Sequence, residues 1–367
     1  LWHGAPWEAE GDGPLPTTIA QRVEGSWVAG MKGMAMLRQG EQAVLLRYGP
    51  SLNHGDPDDL GLTYYAKGYQ LTYDLGYGLG STHAHVGWAS STVSHSIVTV
   101  NETNQFVGDG SGGSLNWFAN LPHVQAVEAE SANSYSSEGV TEYRRALALV
   151  AGGYLVDVFH VTGGRQHDFG FAGMGTDLVP FGIADWEARE GSLAEGVAWG
   201  NLVGADGDIK GYPNKPYWNP PPGNGYGFFK DLRGGTSSAY WGGVWTLPGD
   251  PVARMKMYML GDGDEALIAH APGLYPNKPE ASYVMARRSG EAPLRSTFIA
   301  VYEPFDERPA LAEVRRLGAA ALAVIHDDGQ CDVLLFGSQS VSSPFGPIVF
   351  EGEFGYLFGR EGQVQGW

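Results

Sequence analysis

Apolar and polar residues alternate with a period of two along much of the chain, and glycine-containing dipeptides interrupt the alternation at short intervals. Residues 33–39 and 42–48 flank Gly40-Glu41, and residues 62–66 and 70–74 flank Lys67-Gly68. Residues 143–150 and 154–161 flank Gly152-Gly153. Each is a hairpin signature, the last with long arms. His95-Ser-Ile-Val-Thr-Val100 is strongly β-branched and reads as a strand ending at Asn101. Residues 204–227 read as loop around Asn219-Pro-Pro-Pro-Gly223. Strands resume near Ala239 and run through Met255–Met259. Residues 283–287, 296–302, 319–325 and 332–336 form a final antiparallel set. Residues 309–317 carry good helix formers, yet are read as strand because tertiary context overrides propensity. No repeat of fixed period speaks for a propeller or solenoid. The expected fold is all-β: a large antiparallel β-sandwich over 23–271, then a smaller C-terminal β domain over 272–367. Residues 1–22, rich in Pro and Gly, read as a lead-in or linker segment.

Composition sharpens this picture. The 367 residues suffice for a sizeable core, and 55 glycines with 12% aromatics suit short strands and tight turns. Charged residues reach only 17%, against about 25% in an average domain, which argues against disorder. So much glycine also argues against a helical bundle. The net charge of −18 excludes a general affinity for nucleic acid or anionic membrane. A polyanionic substrate would have to meet a few local Arg and Lys residues. With one cysteine, Cys331, the chain has no internal disulfide framework and no Cys-based zinc site. The best apolar run, 146–159, is broken by Gly152, Gly153 and Asp157, so no membrane span is expected. The opening Leu1-Trp2-His3-Gly4 reads as the inside of a longer protein or a processed terminus.

The densest polar cluster is Asn53-His54-Gly-Asp56-Pro-Asp58-Asp59, just after a strand ending at Tyr48. These are ordinary turn residues, and an acidic turn is one reading of them. Asp74 ends an arm of the next hairpin, and His95 opens a strand about twenty residues later. Strand ends of an antiparallel meander can converge, and a His with two carboxylates is a reasonable ligand set for Zn²⁺ or a similar ion.

The order of these residues resembles the heparinase II/III-like family of polysaccharide lyases. The resemblance runs through Tyr48-Gly49, His54–Gly61, Tyr65-Ala-Lys-Gly68 and Leu71-Thr-Tyr-Asp74-Leu-Gly-Tyr77-Gly78. It continues at Trp88, Thr92, His95–Asn101 and Gln105, and again at Tyr154–Gly164 with His167-Asp168-Phe169. A last echo is Phe298-Ile-Ala-Val-Tyr-Glu303-Pro304. The resemblance implies a helical toroid ahead of the β-sandwich, with the active-site cleft between them. It implies that His54 approaches the substrate and that Asp56, Asp74 and His95 hold a structural metal. Asp56 stands where many members have His, and Ser96 where many have Asn. The resulting site is harder and more acidic, so zinc is the first choice, with calcium or manganese in range.

The implied chemistry is β-elimination at a uronic acid: a neutralised carboxylate acidifies the C5 proton, a base removes it, and O4 leaves with help from an acid. In the family the base and acid are a Tyr and a His, and the Tyr and the carboxylate-neutralising Asn sit on the toroid. Tyr64, Tyr65, Tyr73 and Tyr77 lie near the motif but take no such role here. The implied function is the β-sandwich portion of a lyase for uronate-containing glycans. A longer native polypeptide or a helical partner chain would complete it. A secreted, periplasmic or cell-surface location goes with that reading. A non-catalytic carbohydrate-binding module, or a self-assembling extracellular β protein, is the alternative. Other residues weighed are His83 and His85 (loop packing on the cleft) and His167-Asp168 (structural). Tyr217, Trp218, Trp241 and Trp245 are sugar platforms or core, Arg287-Arg288 a uronate contact or a solvated strand end, and Asn101-Glu-Thr103 a sequon.

Overall fold

The computed structural model describes residues 25–51, 55–76, 84–174, 177–199, 221–237, 240–247, 253–261, 263–273 and 280–367. About 55% of the chain is strand and 7% helix, in antiparallel sheets, as the alternation requires. The central layer is an eight-stranded sheet. Its spatial order is Leu178–Phe181, Tyr240–Thr246, Arg254–Leu260, Arg295–Phe305, Tyr154–Thr162, Glu142–Val150, Val124–Glu130 and Ser114–Asn120. A six-stranded sheet runs Glu187–Arg189, Lys230–Thr236, Glu265–Ala271, Ala281–Ser289, Gln166–Gly173 and Val98–Val100. Five N-terminal strands between Trp27 and Gln70 form a third sheet, joined to the second through the Thr72–Gly173 bridge.

The second and third sheets face one side of the central layer. Leu37, Leu46, Leu147, Phe159, Phe169, Phe171 and Tyr302 close that core. On the other side the central layer packs against a five-stranded C-terminal sheet, Leu311–Gly318 to Gln363–Gly366, through Ala148, Val156, Val158, Val301, Leu322 and Leu334. Both faces of the strand Tyr154–Thr162 are therefore covered over Tyr154–Val158, and all nine of its residues are buried. Residue 272, the boundary expected from the sequence, precedes two strands, Ala281–Ser289 and Arg295–Phe305, that hydrogen-bond into the large sheets. The separate C-terminal sheet begins at Leu311.

Local chemistry explains several elements. Lys67 and Gly68 both have positive φ, 56° and 82°, as the two-residue turn between Leu62–Ala66 and Tyr69–Gln70 demands. Leu311–Gly318 is strand despite its helix formers: Leu311 and Val314 gain burial only when the segment pairs with Ala321–His326. Only Val98–Val100 of the β-branched stretch is strand, while His95 closes a 3₁₀ turn at Thr92–Ser94. Gly33 and Gly49 touch backbone to backbone; a Cβ on Gly49 would lie 2.3 Å from the Lys32 carbonyl oxygen.

A charge pair sits inside the core. Arg145 and Asp157, both 0% exposed, share a bidentate contact of 2.9 and 2.5 Å. Arg145 Nη1 also donates to the carbonyls of Leu60 and Ser96, each at 2.8 Å, and the Tyr302 hydroxyl donates to Asp157 at 3.1 Å. One guanidinium thus fastens two segments, one ending the acidic cluster and one following His95.

Candidate functional site

The acidic loop leaves the strand Gln42–Arg47 and is held from every side. Arg47 pairs with Asp58 and donates from Nη2 to Ser51 Oγ at 2.9 Å. Asp59 is fully buried and anchors the loop. Its carboxylate accepts from Ser134 Oγ at 2.7 Å, Gly112 N at 2.9 Å and Ser131 Oγ at 3.0 Å. Gln105 exchanges two bonds with the Asp59 backbone, of 2.7 and 3.0 Å, and Thr92 Oγ1 donates to the Pro57 carbonyl at 2.8 Å. Leu60 adopts φ of +69°, which turns its N–H onto the Arg47 carbonyl and its own carbonyl onto Arg145. Thr92 and Gln105, part of the motif order in the sequence, are therefore loop clamps.

Within this frame Asp56, Asp58, Asp74, His85 and His95 act on one another electrostatically. Burial raises the Asp56 pKa, His95 and His85 pull it down, and Asp74 pushes it further up. Burial raises Asp58 to about 6, against the pull of His95 and Arg47 and with the push of Asp74 and Asp56. His85 is lowered by its burial and partly restored by Asp56. It lies on the single π-turn His85–Ala89, its Nε2 3.3 Å from Ser90 Oγ. Gly76 N donates to Asp74 at 2.8 Å. His95 is 5% exposed, and its Nε2 has no hydrogen-bond partner among the described residues.

Asp56, Asp74 and His95 thus share one neighbourhood, while His54 lies outside the described residues. Among the described residues no three His, Cys, Asp or Glu side chains stand in ligand geometry. The donor set nevertheless suits a divalent cation: the Asp56 carboxylate, whose pKa burial and Asp74 raise, beside a buried His95 ring nitrogen with no hydrogen-bond partner among the described residues. Asp58 is engaged by Arg47 and Asp59 by hydroxyls, so neither is a spare ligand. Sequence reasoning assigned no electrostatic part to Asp58 or His85. The signal for His85 was the His83-x-His85 spacing, read as loop packing, and His83 lies outside the described residues.

The remaining candidates resolve into structure. Trp241 and Trp245 are 0% exposed and belong to the core, which removes them as sugar platforms, and Tyr217 and Trp218 lie outside the described residues. Tyr64 and Tyr73 are buried, Tyr65 is exposed, and Tyr77 lies outside the described residues. His167 spends both ring nitrogens, on Ser296 Oγ at 2.8 Å and the Gly163 carbonyl at 2.7 Å. Asp168 takes two bonds of 2.8 Å from Arg287, which also pairs with Glu102 at 2.9 Å. Arg288 pairs with buried Asp264 at 2.5 Å. Neither arginine is the solvated strand end or the uronate contact considered from the sequence, because each neutralises a buried carboxylate. Asn101 is a turn residue at φ +51°: its side chain accepts from the amides of Arg165 and Gln166 and donates to Glu138.

The layered antiparallel sandwich agrees with what comparison with known proteins finds. Residues 21–172 match the family described as heparinase II/III-like, C-terminal, so this stretch of the chain is heparinase II/III-like. The fold is similar to that of the solved structure titled heparinase III-BT4657 gene product (TM-score 0.55, 14% identity), with 95% of this chain and 43% of that one covered. It is similar also to a heparan sulfate lyase HepC mutant from Pedobacter heparinus (TM-score 0.51, 12% identity), with 94% of this chain and 42% of that one covered. The chain therefore spans less than half the length of these proteins. A search of curated proteins found no match. No helix among the described residues is long and apolar enough to cross a membrane.

Proposed function

We propose that this chain is the β-sandwich portion of a polysaccharide lyase that cleaves uronate-containing acidic glycans by β-elimination. A helical domain on a longer native polypeptide or a partner chain would complete it. The observation that carries the reading is the convergence of Asp74 and His95 on Asp56 in a loop system whose sequence matches the heparinase II/III-like family. His54, two residues before Asp56, is the proton-transfer partner contributed by this chain. Its counterpart Tyr and the carboxylate-neutralising Asn come from the helical domain. Base and acid then act on the two sides of one event: the C5 proton goes to the base, the C5–H electron pair forms the C4–C5 double bond, and the O4 leaving group takes a proton from the acid.

Asp56, Asp74 and His95 would hold a divalent cation, zinc first and calcium or manganese next. When bound, the cation balances the carboxylate charge and cross-links the loop beside His54 to the His95 turn. An extracellular, periplasmic or cell-surface setting, where acidic polysaccharides occur, belongs to the same proposal. A second reading, a non-catalytic carbohydrate-binding module, draws on Asp56 in place of the family His and on the lack of a three-ligand geometry among the described residues.

The test uses the complete native particle on a panel of uronate polysaccharides, following the ultraviolet absorbance of the unsaturated product. The lyase reading expects product from wild type and none from His54→Ala at unchanged melting temperature. Full activity in His54→Ala would overturn the site assignment. No product on any panel member, with retained glycan binding, would select the module.

A further inference from the structure

The outer face of the central sheet, the one turned toward the C-terminal sheet, changes character along its length. Ala146 and Ala148, Val156 and Val158, and Ile299 and Val301 lie under the C-terminal sheet and form an apolar seam. Where that cover ends, the same alternation places Glu142 and Arg144, His160 and Thr162, and Arg295 and Thr297 on this face. The register aligns them as two polar rungs, Arg144–His160–Thr297 and Glu142–Thr162–Arg295. Residues 319–320 and 336–339 form the opposite wall, and the cleft encloses about 300 Å³.

Part of this wall is satisfied internally and part is not. Arg144 takes Glu128 at 2.6 Å and Glu142 at 2.8 Å, and Glu142 also accepts from Thr162 Oγ1 at 2.8 Å, so both carboxylates are spent. Arg295 has no ion pair among the described residues. His160 is 8% exposed, and its Nδ1 is 3.1 Å from Thr297 Oγ1, while Nε2 has no partner among the described residues. Burial and the charges of Arg144 and Arg316 lower its pKa to about 4, with Glu142 opposing, so the ring is neutral near pH 7. If the Thr297 hydroxyl donates to Nδ1, the proton sits on Nε2 as an unspent donor. Gln339 donates from Nε2 to three carbonyls, of Ala320, Phe336 and Gly337, which fixes this wall, while its Oε1 turns toward Gly318. A guanidinium without an ion pair among the described residues, a ring N–H donor and hydroxyls around one cleft complement a sugar ring that bears an oxyanion.

We propose that this cleft is a second saccharide subsite, which holds a carboxylate- or sulfate-bearing residue of an acidic glycan through Arg295 and His160. It lies on the face of the central sheet opposite Arg145, and so opposite the acidic loop. The proposal rests on the acidic-glycan reading above, but not on cleavage. In a chain of net charge −18, an arginine with no ion pair among the described residues, set at a polar cleft, is where such an anion is admitted.

The test is calorimetric titration of the full chain with four probes: an unsulfated uronate tetrasaccharide, its sulfated counterpart, a neutral tetrasaccharide and sodium sulfate. Wild type, Arg295→Ala, His160→Gln and Asp74→Ala are compared, with melting temperature as the fold control. Binding of an acidic tetrasaccharide is expected to weaken about tenfold or more in Arg295→Ala, the worth of a charge-assisted contact. It should weaken also in His160→Gln and persist in Asp74→Ala. Unchanged affinity in a folded Arg295→Ala, or equal affinity for the neutral sugar, overturns the proposal. Sodium sulfate binding as tightly as the sulfated tetrasaccharide also overturns it, because the site would then be one for a free anion. Lyase activity with binding insensitive to Arg295 rejects the subsite alone. Absent activity with Arg295-dependent binding rejects the lyase reading alone.

Discussion

Replacing Arg145 tests whether one buried guanidinium holds the site together. In Arg145→Met the Asp157 carboxylate stays fully buried with the Tyr302 hydroxyl as its one remaining side-chain partner among the described residues, and the carbonyls of Leu60 and Ser96 lose the Arg145 donor. Leaving one member of a buried ion pair uncompensated costs about 3–5 kcal/mol. For a protein of this size that corresponds to a fall in melting temperature on the order of 4–7 °C. The double variant Arg145→Met/Asp157→Leu removes the stranded charge, and apolar replacement of a buried pair is often close to neutral. Here it is not expected to be neutral, because two buried carbonyls remain without a donor, at about 1–3 kcal/mol each. The expected order of stability is wild type, then double variant, then Arg145→Met.

Urea unfolding followed by tryptophan fluorescence reads the order, and hydrogen exchange at the amides of residues 56–60 and 95–97 reads the locality. Both segments should lose protection in the double variant while the C-terminal sheet keeps its own. A double variant as stable as wild type would refute the reasoning, since the carbonyl clamp would then contribute nothing. So would a cost below about 1 kcal/mol in Arg145→Met, which the stranded-charge argument forbids.

Three further outcomes are expected. Asp74→Ala should lower the melting temperature of protein saturated with zinc and leave chelated protein unchanged, the difference being about 3 kcal/mol at a hundredfold excess over Kd; no stoichiometric metal by elemental analysis and no shift would remove the metal. His160 has a folded pKa of about 4, below its ordinary 6.5. The unfolded chain therefore binds the extra proton first, and stability present above pH 6.5 falls as pH drops toward 4, by at most on the order of 3 kcal/mol; urea midpoints across that window should flatten in His160→Gln, and an unaltered slope would contradict the assignment. Gly49→Ala should cost about 1–3 kcal/mol by calorimetry, because its Cβ would press on the Lys32 carbonyl at the start of the acidic loop, and a neutral result would deny that close approach.

Many strands were legible because they bury a regular face: period-two alternation with Gly40-Glu41, Lys67-Gly68 and Gly152-Gly153 marked three hairpin turns, although the second arm after Lys67-Gly68 is strand only over Tyr69–Gln70 and does not run to Asp74. The C-terminal boundary was not, since Ala281–Ser289 and Arg295–Phe305 carry the same alternation whether they pair within the large sheets or with a later sheet. Partner choice at a sequence separation of more than a hundred residues leaves no local trace, as in the pairing of Phe159 with Phe298. Arg287 and Arg288 were misread for a related reason: a charged pair at a strand end looks solvated until Asp168 arrives from Gln166–Gly173 and Asp264 from the residue before Glu265–Ala271. The acidic loop stood out by composition, whereas its clamps Ser131, Ser134 and Gly112 are residues that any turn could contain.

Arg145, which the sequence left unremarked, shows why the site forms where it does. A strand residue at 0% exposure is normally apolar, and placing arginine there is stable only if every donor it spends is met. Asp157 meets two of its bonds from the neighbouring strand, and the other two go to backbone that belongs to no sheet, at Leu60 and Ser96. The guanidinium is thereby a fixed ruler between the segment that presents Asp56 and the turn that presents His95. Its strand neighbour Arg144 points the other way, onto the outer face, and begins the polar rung of the second cleft. Two consecutive arginines in Glu142–Val150 thus serve opposite faces of one sheet. Exchanging their environments, by making residue 145 apolar or residue 144 uncharged, should affect the acidic loop and the outer cleft independently, because the alternation of a strand lets neither side chain reach the other's face.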